Sequence, residues 1–101
     1  MRKIIDGRKY DTYTARLVGE WSFGRYSDFN YIHEALYCKK TGEYFLYGEG
    51  GARSKYAECV SNNTWSEGCE LIPYSLEEAK AWAMEYLSGD EYEAEFGEVE
   101  E

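Results

Sequence analysis

The chain has 101 residues and a net charge of −9, with 11 tyrosines, four phenylalanines and three tryptophans. That length allows one domain with one modest core, burying roughly two thirds of the surface that the unfolded chain exposes. No run approaches the ~20 apolar residues of a membrane span, and the acidic balance argues against binding a nucleic-acid backbone.

The charge is unevenly placed. Residues 1–69 hold ten basic and nine acidic side chains, whereas residues 70–101 hold eleven acids and one base, Lys80. A segment of net charge −10 favours a basic partner surface, or serves solubility alone. The three cysteines, Cys38, Cys59 and Cys69, are odd in number. Without an N-terminal apolar leader they read as reduced thiols, and the expected location is the cytoplasm.

In chain order, Arg2–Tyr10 carries a first hairpin signal. Asp6-Gly7 is a strong two-residue turn between Ile4-Ile5 and Tyr10. Asp11-Thr12 then offers an N-cap. Tyr13, Leu17 and Trp21 recur every fourth residue, which predicts an amphipathic helix of about ten residues, weakened by Gly19 and ended by Gly24. The segment from Ser22 to Asn30 has loop composition with aromatics at Phe23, Tyr26 and Phe29.

A central hairpin follows. Leu36–Lys39 and Tyr44–Tyr47 are aromatic and apolar, and a Thr41-Gly42 turn would set Lys40 against Glu43, Cys38 against Phe45 and Tyr37 against Leu46. Gly48-Glu49-Gly50-Gly51 is expected to end the strand in a bend with close backbone approach. Residues 52–60 read as a short strand or an irregular crossing, and 61–64 and 65–68 as turns. Cys69–Pro73 reads as a last strand, with Pro73 marking a sheet edge.

Ser75-Leu76-Glu77-Glu78 is a capping box. Behind it Leu76, Ala79, Ala83, Tyr86 and Leu87 fall on one face, flanked by Trp82. Asp90–Glu93 can cap one further short helical turn, with Tyr92 and Phe96 four apart and Gly97 as its stop. Residues from about 98 to 101 are expected to fray. The fold class is therefore α+β in a single domain over residues 1–101. It should comprise a small antiparallel sheet of about four or five strands, packed by the helices from Asp11 and from Ser75.

Chemistry is sparsely marked. His33, the only histidine, would point to the opposite strand face from Glu34, so the two make no dyad. No C-x-x-C knuckle joins the cysteines, and the glycine run lacks the lysine of a phosphate loop. The sequence implies no enzyme, no cofactor and no metal.

The runs K-I-I-D-G-R-K-Y-D-T-x-T-A, S-D-F, E-A-L-Y-x-K-K-T-G-E-Y-F-L-Y-G-E-G-G and I-P-x-S-L-E-E-A-K-A-W-A span nearly the whole chain. They resemble a family of small proteins from bacterial phages and mobile elements, some of whose acidic members are anti-CRISPR inhibitors. The resemblance implies a protein-binding inhibitor of a host CRISPR-Cas RNA-guided nuclease. Its partner would be an effector with a basic nucleic-acid channel. The carboxylates of Glu77, Glu78, Glu85, Glu91, Glu93 and Glu95 would imitate a polyanion, with Glu49, Tyr26 and Phe29 as further contacts. The alternative is a homodimeric phage accessory or scaffolding protein with an aromatic interface.

Overall fold

The computed structural model describes residues 1–25 and 27–101. Four strands form the central antiparallel sheet: β3 (Arg16–Phe23), β4 (Ile32–Cys38), β5 (Tyr44–Gly50) and β8 (Gly68–Tyr74), in the order β3-β4-β5-β8. Two separate ribbons flank it, β1 (Arg2–Ile5) with β2 (Arg8–Asp11) and β6 (Glu58–Ser61) with β7 (Thr64–Ser66). Helices α1 (Leu76–Tyr86) and α2 (Gly89–Phe96) follow. The class is α+β, as the sequence predicts. The radius of gyration, 14.9 Å, exceeds the ~13 Å of an ordinary chain this long because the ribbons extend beyond the sheet.

The N-terminal ribbon forms as its turn chemistry dictates, with Asp6 and Gly7 both at positive φ. The next segment departs from expectation. Asp11 does cap a turn, accepting from the Tyr13 N–H at 2.9 Å, but the turn does not propagate into a helix. Residues 16–23 become β3 instead. Tyr13 stays in the turn, and a bulge at Val18 sets Leu17 opposite Tyr37 and Trp21 opposite Glu34, on different faces of the sheet, so the four-residue spacing marks no common face. Val18 and Gly19 disfavour the helix, and seven registered pairs with β4 decide the outcome.

The central hairpin forms one residue out of the expected register. Lys39, not Lys40, opposes Glu43: its N–H donates to the Glu43 carbonyl at 2.8 Å. The Gly42 N–H returns to the Lys39 carbonyl at 2.8 Å, with Gly42 at φ +93°. The three-residue loop pairs Cys38 with Tyr44, Tyr37 with Phe45 and Leu36 with Leu46. Residues directly opposite share a face, so this register puts Leu36 and Leu46 together under the helices; the two-residue turn would have sent one of them to the other side. Nor does β5 stop at Tyr47. It runs through Gly48 to Gly50, because those glycines leave room for side chains crossing the sheet: a Cβ at Gly48 would lie 2.0 Å from Tyr56 Cζ. The expected second turn at 65–68 is the end of β7 and the start of β8, and β8 is a sheet edge, as Pro73 suggests.

The sheet buries both faces unequally. On the helical face, Leu36 and Leu46 of the sheet pack against Ala79, Trp82 and Ala83 of α1. On the opposite face the N-terminal ribbon covers a smaller cluster of Tyr10, Phe45 and Leu71. Ser75 and Glu78 form the capping box on α1, and Ser88 with Glu91 forms a second on α2, two residues earlier than Asp90 would place it. Leu76 departs from the expected apolar face and is 48 % exposed, whereas Trp82 is buried, Tyr86 stacks on Trp21 at 4.3 Å and Leu87 covers Gly19.

Candidate functional site

The deepest polar group is Glu34, in the middle of β4 beneath α1 and 0 % exposed. Its Oε1 accepts from the indoles of Trp21 at 2.8 Å and Trp82 at 3.1 Å. Its Oε2 accepts from the Tyr56 hydroxyl and from Lys55 Nζ at 2.8 Å. Desolvation alone would raise this carboxyl's pKa, but the four donors outweigh it and hold the group below its ordinary range. Every strong acceptor position is filled. Although Glu34 borders a cleft of about 370 Å³ with Tyr74, Glu78, Glu85 and Tyr86, its lone pairs are committed to structure and not to proton transfer.

His33 does project to the opposite face. There the register aligns Ser22, His33, Glu49 and Cys69 in a row across four strands. The row is not wired as a catalytic relay. Both Glu49 oxygens accept from phenols, Tyr31 at 3.1 Å and Tyr47 at 2.8 Å, and His33 leans towards Glu20 at 3.7 Å. All three cysteines are free thiols, Cys38 buried and Cys59 and Cys69 exposed. Among the described residues no group of His, Cys, Asp and Glu is gathered to hold a metal ion.

The predicted acids divide into three kinds. Glu77, Glu85 and Glu93 are exposed, and of these, among the described residues, only Glu93 meets a partner, the backbone N–H of Val99 at 2.9 Å. Glu78 and Glu91 are exposed but cap their own helices. Glu95 does not belong to a free acidic surface. It is gripped by both terminal nitrogens of Arg16, at 2.6 and 2.9 Å, and accepts from the Tyr44 hydroxyl at 2.6 Å. The Arg16 bonds hold its pKa below the ordinary range, and burial together with Glu95 pushes the Tyr44 phenol well above its own. Arg16 and Glu95 are 79 residues apart, so no local pattern reveals the pair.

The other predicted contacts gather at the far end of the sheet. The Gly51 N–H donates to Tyr31 O at 2.9 Å and the Arg53 N–H to Phe29 O at 2.7 Å, which ties the glycine-rich run to the aromatic loop. A Cβ at Gly51 would stand 2.5 Å from Asp28 O, so that close approach needs glycine. Phe29 is 65 % exposed and Glu49 half-buried; Tyr26 lies outside the described residues. A cleft of about 520 Å³ opens beside this loop, lined by Phe29, Ala52 and Trp65 together with Asp28 and Glu67. Trp65, 55 % exposed, is a lining residue that the sequence places in a turn. Its signal was a lone tryptophan in an otherwise polar stretch.

Among the described residues no helix is long and apolar enough to cross a membrane. No protein-family model, no curated protein and no solved structure matches the chain.

Proposed function

We propose that the chain is a protein-binding inhibitor whose acidic helical layer occupies a basic, nucleic-acid-binding surface of its partner. The observation that carries this reading is the charge of α1 and α2. Both helices hold acids in the first turn and neither holds a base in the last turn, where a base would stabilise the helix by about 0.3–1 kcal/mol. The segment forgoes that gain and keeps a single base, Lys80, among eleven acids. Such a field steers association with a cationic channel and weakens with salt. The resemblance to phage proteins directs the reading to an RNA-guided CRISPR-Cas nuclease as the host partner, with the chain acting as an anti-CRISPR protein that mimics nucleic acid.

The test uses Glu77→Lys, Glu85→Lys and Glu93→Lys together, which avoid both capping boxes and the Arg16–Glu95 pair. The triple variant should keep its circular dichroism and lose inhibition in a DNA-cleavage assay with a purified effector. Full inhibition by the folded variant overturns the polyanion mechanism. Exposed Phe23, Phe29 and Trp65 favour a second reading, a homodimeric scaffold. In that case sedimentation equilibrium would return twice the chain mass, and Trp65→Ala would halve it.

A further inference from the structure

We propose that Trp65 and Phe29 form a clamp for an arginine side chain of the partner protein, with Glu67 and Asp28 as its counter-charges. This deepens the reading above and rests on it, since the partner is taken to present a basic surface.

The β6–β7 ribbon that carries Trp65 does not contribute to the core. Its residues are exposed but for the half-buried Ser66, and it pairs with no strand of the main sheet. Two-stranded ribbons gain little stability by themselves, so the exposed tryptophan is not held out by packing demands. Tryptophan is also the residue most enriched at the centres of protein interfaces. Among the described residues Trp65 has no ring partner, whereas Trp21 and Trp82 are both engaged under α1.

The chemistry of the cleft selects its occupant. Asp28 and Glu67 line it and no basic residue does. The Asp28 carboxylate is partly used by the Arg25 N–H at 2.9 Å, whereas Glu67, among the described residues, meets no cation. Glu67 also borders an adjoining groove of about 260 Å³ that contains Glu49 and Glu58, so the negative field extends past the aromatic pair. A phosphate or an acidic peptide would be repelled here, which sets nucleic acid aside although its bases stack well on aromatic rings. A purely apolar side chain would cover Glu67 without pairing it, at the cost of desolvation. A guanidinium satisfies both demands, since it is planar, stacks on aromatic faces and forks its donors onto a carboxylate. The chain shows the same contact internally: the Arg53 guanidinium lies over the Phe29 ring, 5.9 Å from its centre.

The experiment titrates the full chain, isotope-labelled, with a capped Gly-Arg-Gly-Arg-Gly peptide and with the same peptide carrying citrulline, which keeps the shape and loses the charge. The expected result is a shift of the Trp65 indole resonance with the arginine peptide and binding about tenfold weaker for the citrulline one. Trp65→Ala and, as a milder change, Glu67→Gln should each weaken the arginine peptide by a similar factor. Equal binding of the two peptides overturns the clamp. So does a silent Trp65 resonance while others move, or a dimer that buries Trp65. The triple helix variant separates this inference from the one it rests on. Inhibition of the nuclease with no arginine response at Trp65 removes the clamp alone, and a response at Trp65 in a chain that inhibits no nuclease removes the target alone.

Discussion

Trp82 and Glu34 are joined by a hydrogen bond of 3.1 Å, from the indole of α1 to a carboxylate with no solvent exposure in the sheet below it. The bond makes the helix–sheet interface depend on a polar contact as well as on apolar area. Trp82→Phe keeps most of the ring and loses the donor, and should cost about 1–3 kcal/mol. Trp82→Ala also opens a cavity and should cost about 3–5 kcal/mol. Glu34→Ala strands the donors of Trp21, Tyr56 and Trp82, while the exposed Lys55 turns to water, and should be at least as damaging as Trp82→Ala. Urea unfolding followed by tryptophan fluorescence ranks the three, and a Glu34→Ala midpoint equal to the parent would refute the anchor.

The same carboxylate sets the acid limit of the fold. Glu34 and Glu95 both titrate below their ordinary range in the folded chain, so each adds stability above its unfolded value, about 4.3. That contribution is lost as pH falls through the lower, folded values. Stability should therefore be flat down to about pH 5 and drop below about pH 4. Glu95→Gln should lower the stability at neutral pH and flatten its decline in acid. Thermal melts across this window measure both.

The alkaline limit has the opposite sign. Burial, reinforced by the acceptor carboxylates Glu95, Glu49 and Glu34, raises the phenols of Tyr44, Tyr47 and Tyr56 far above their ordinary value. Their contribution is complete below the unfolded value of about 10 and is lost as pH rises through the folded values. Phenolate absorbance should show a late step, separate from any early one in the ordinary range near pH 10, in which these three ionise together with loss of circular dichroism. A single step complete before any unfolding would mean that the three phenols are free.

Local signals were legible and distant partners were not. Asp6-Gly7, the capping box at Ser75 and the stop at Gly97 act within a few residues, and all three are found in the fold. The helix expected from Asp11 failed because Val18 and Gly19 disfavour it and the pairing with β4, bulged between Leu17 and Gly19, is a contact no local pattern shows. The hairpin register turned on whether Lys40 joins the loop, a difference that the burial of Leu36 and Leu46 decides. Glu34 draws its donors from positions 21, 55, 56 and 82, and Glu95 from position 16, so neither carboxylate's role can be read from its neighbours. At the candidate site, the acids of α1 were visible by charge alone. Trp65 was hidden because a three-residue strand leaves almost no periodic pattern.

Three glycines separate space from backbone conformation, and alanine at each should differ in the size or the sign of its effect. At Gly48 a Cβ would fall 2.0 Å from Tyr56 Cζ and 2.2 Å from its hydroxyl, so Gly48→Ala must push Tyr56 off Glu34. The loss combines strain with a broken buried hydrogen bond, and about 2–4 kcal/mol is expected. At Gly42 nothing stands within 4 Å, yet φ is +93°, so Gly42→Ala pays only the backbone penalty of about 1–2 kcal/mol. At Gly89, the first residue of α2, the space is open and φ is not positive. There alanine removes unfolded-state freedom and should stabilise by about 0.4–1 kcal/mol. Chemical denaturation of the three single variants gives the order Gly89→Ala above parent, then Gly42→Ala, then Gly48→Ala. The Gly48 variant carries a further signature, because displacing Tyr56 returns one phenol from the late alkaline step to the early one. A Gly48→Ala chain as stable as the parent, with that phenol still late, would show that Tyr56 does not cross β5 at Gly48 to reach Glu34.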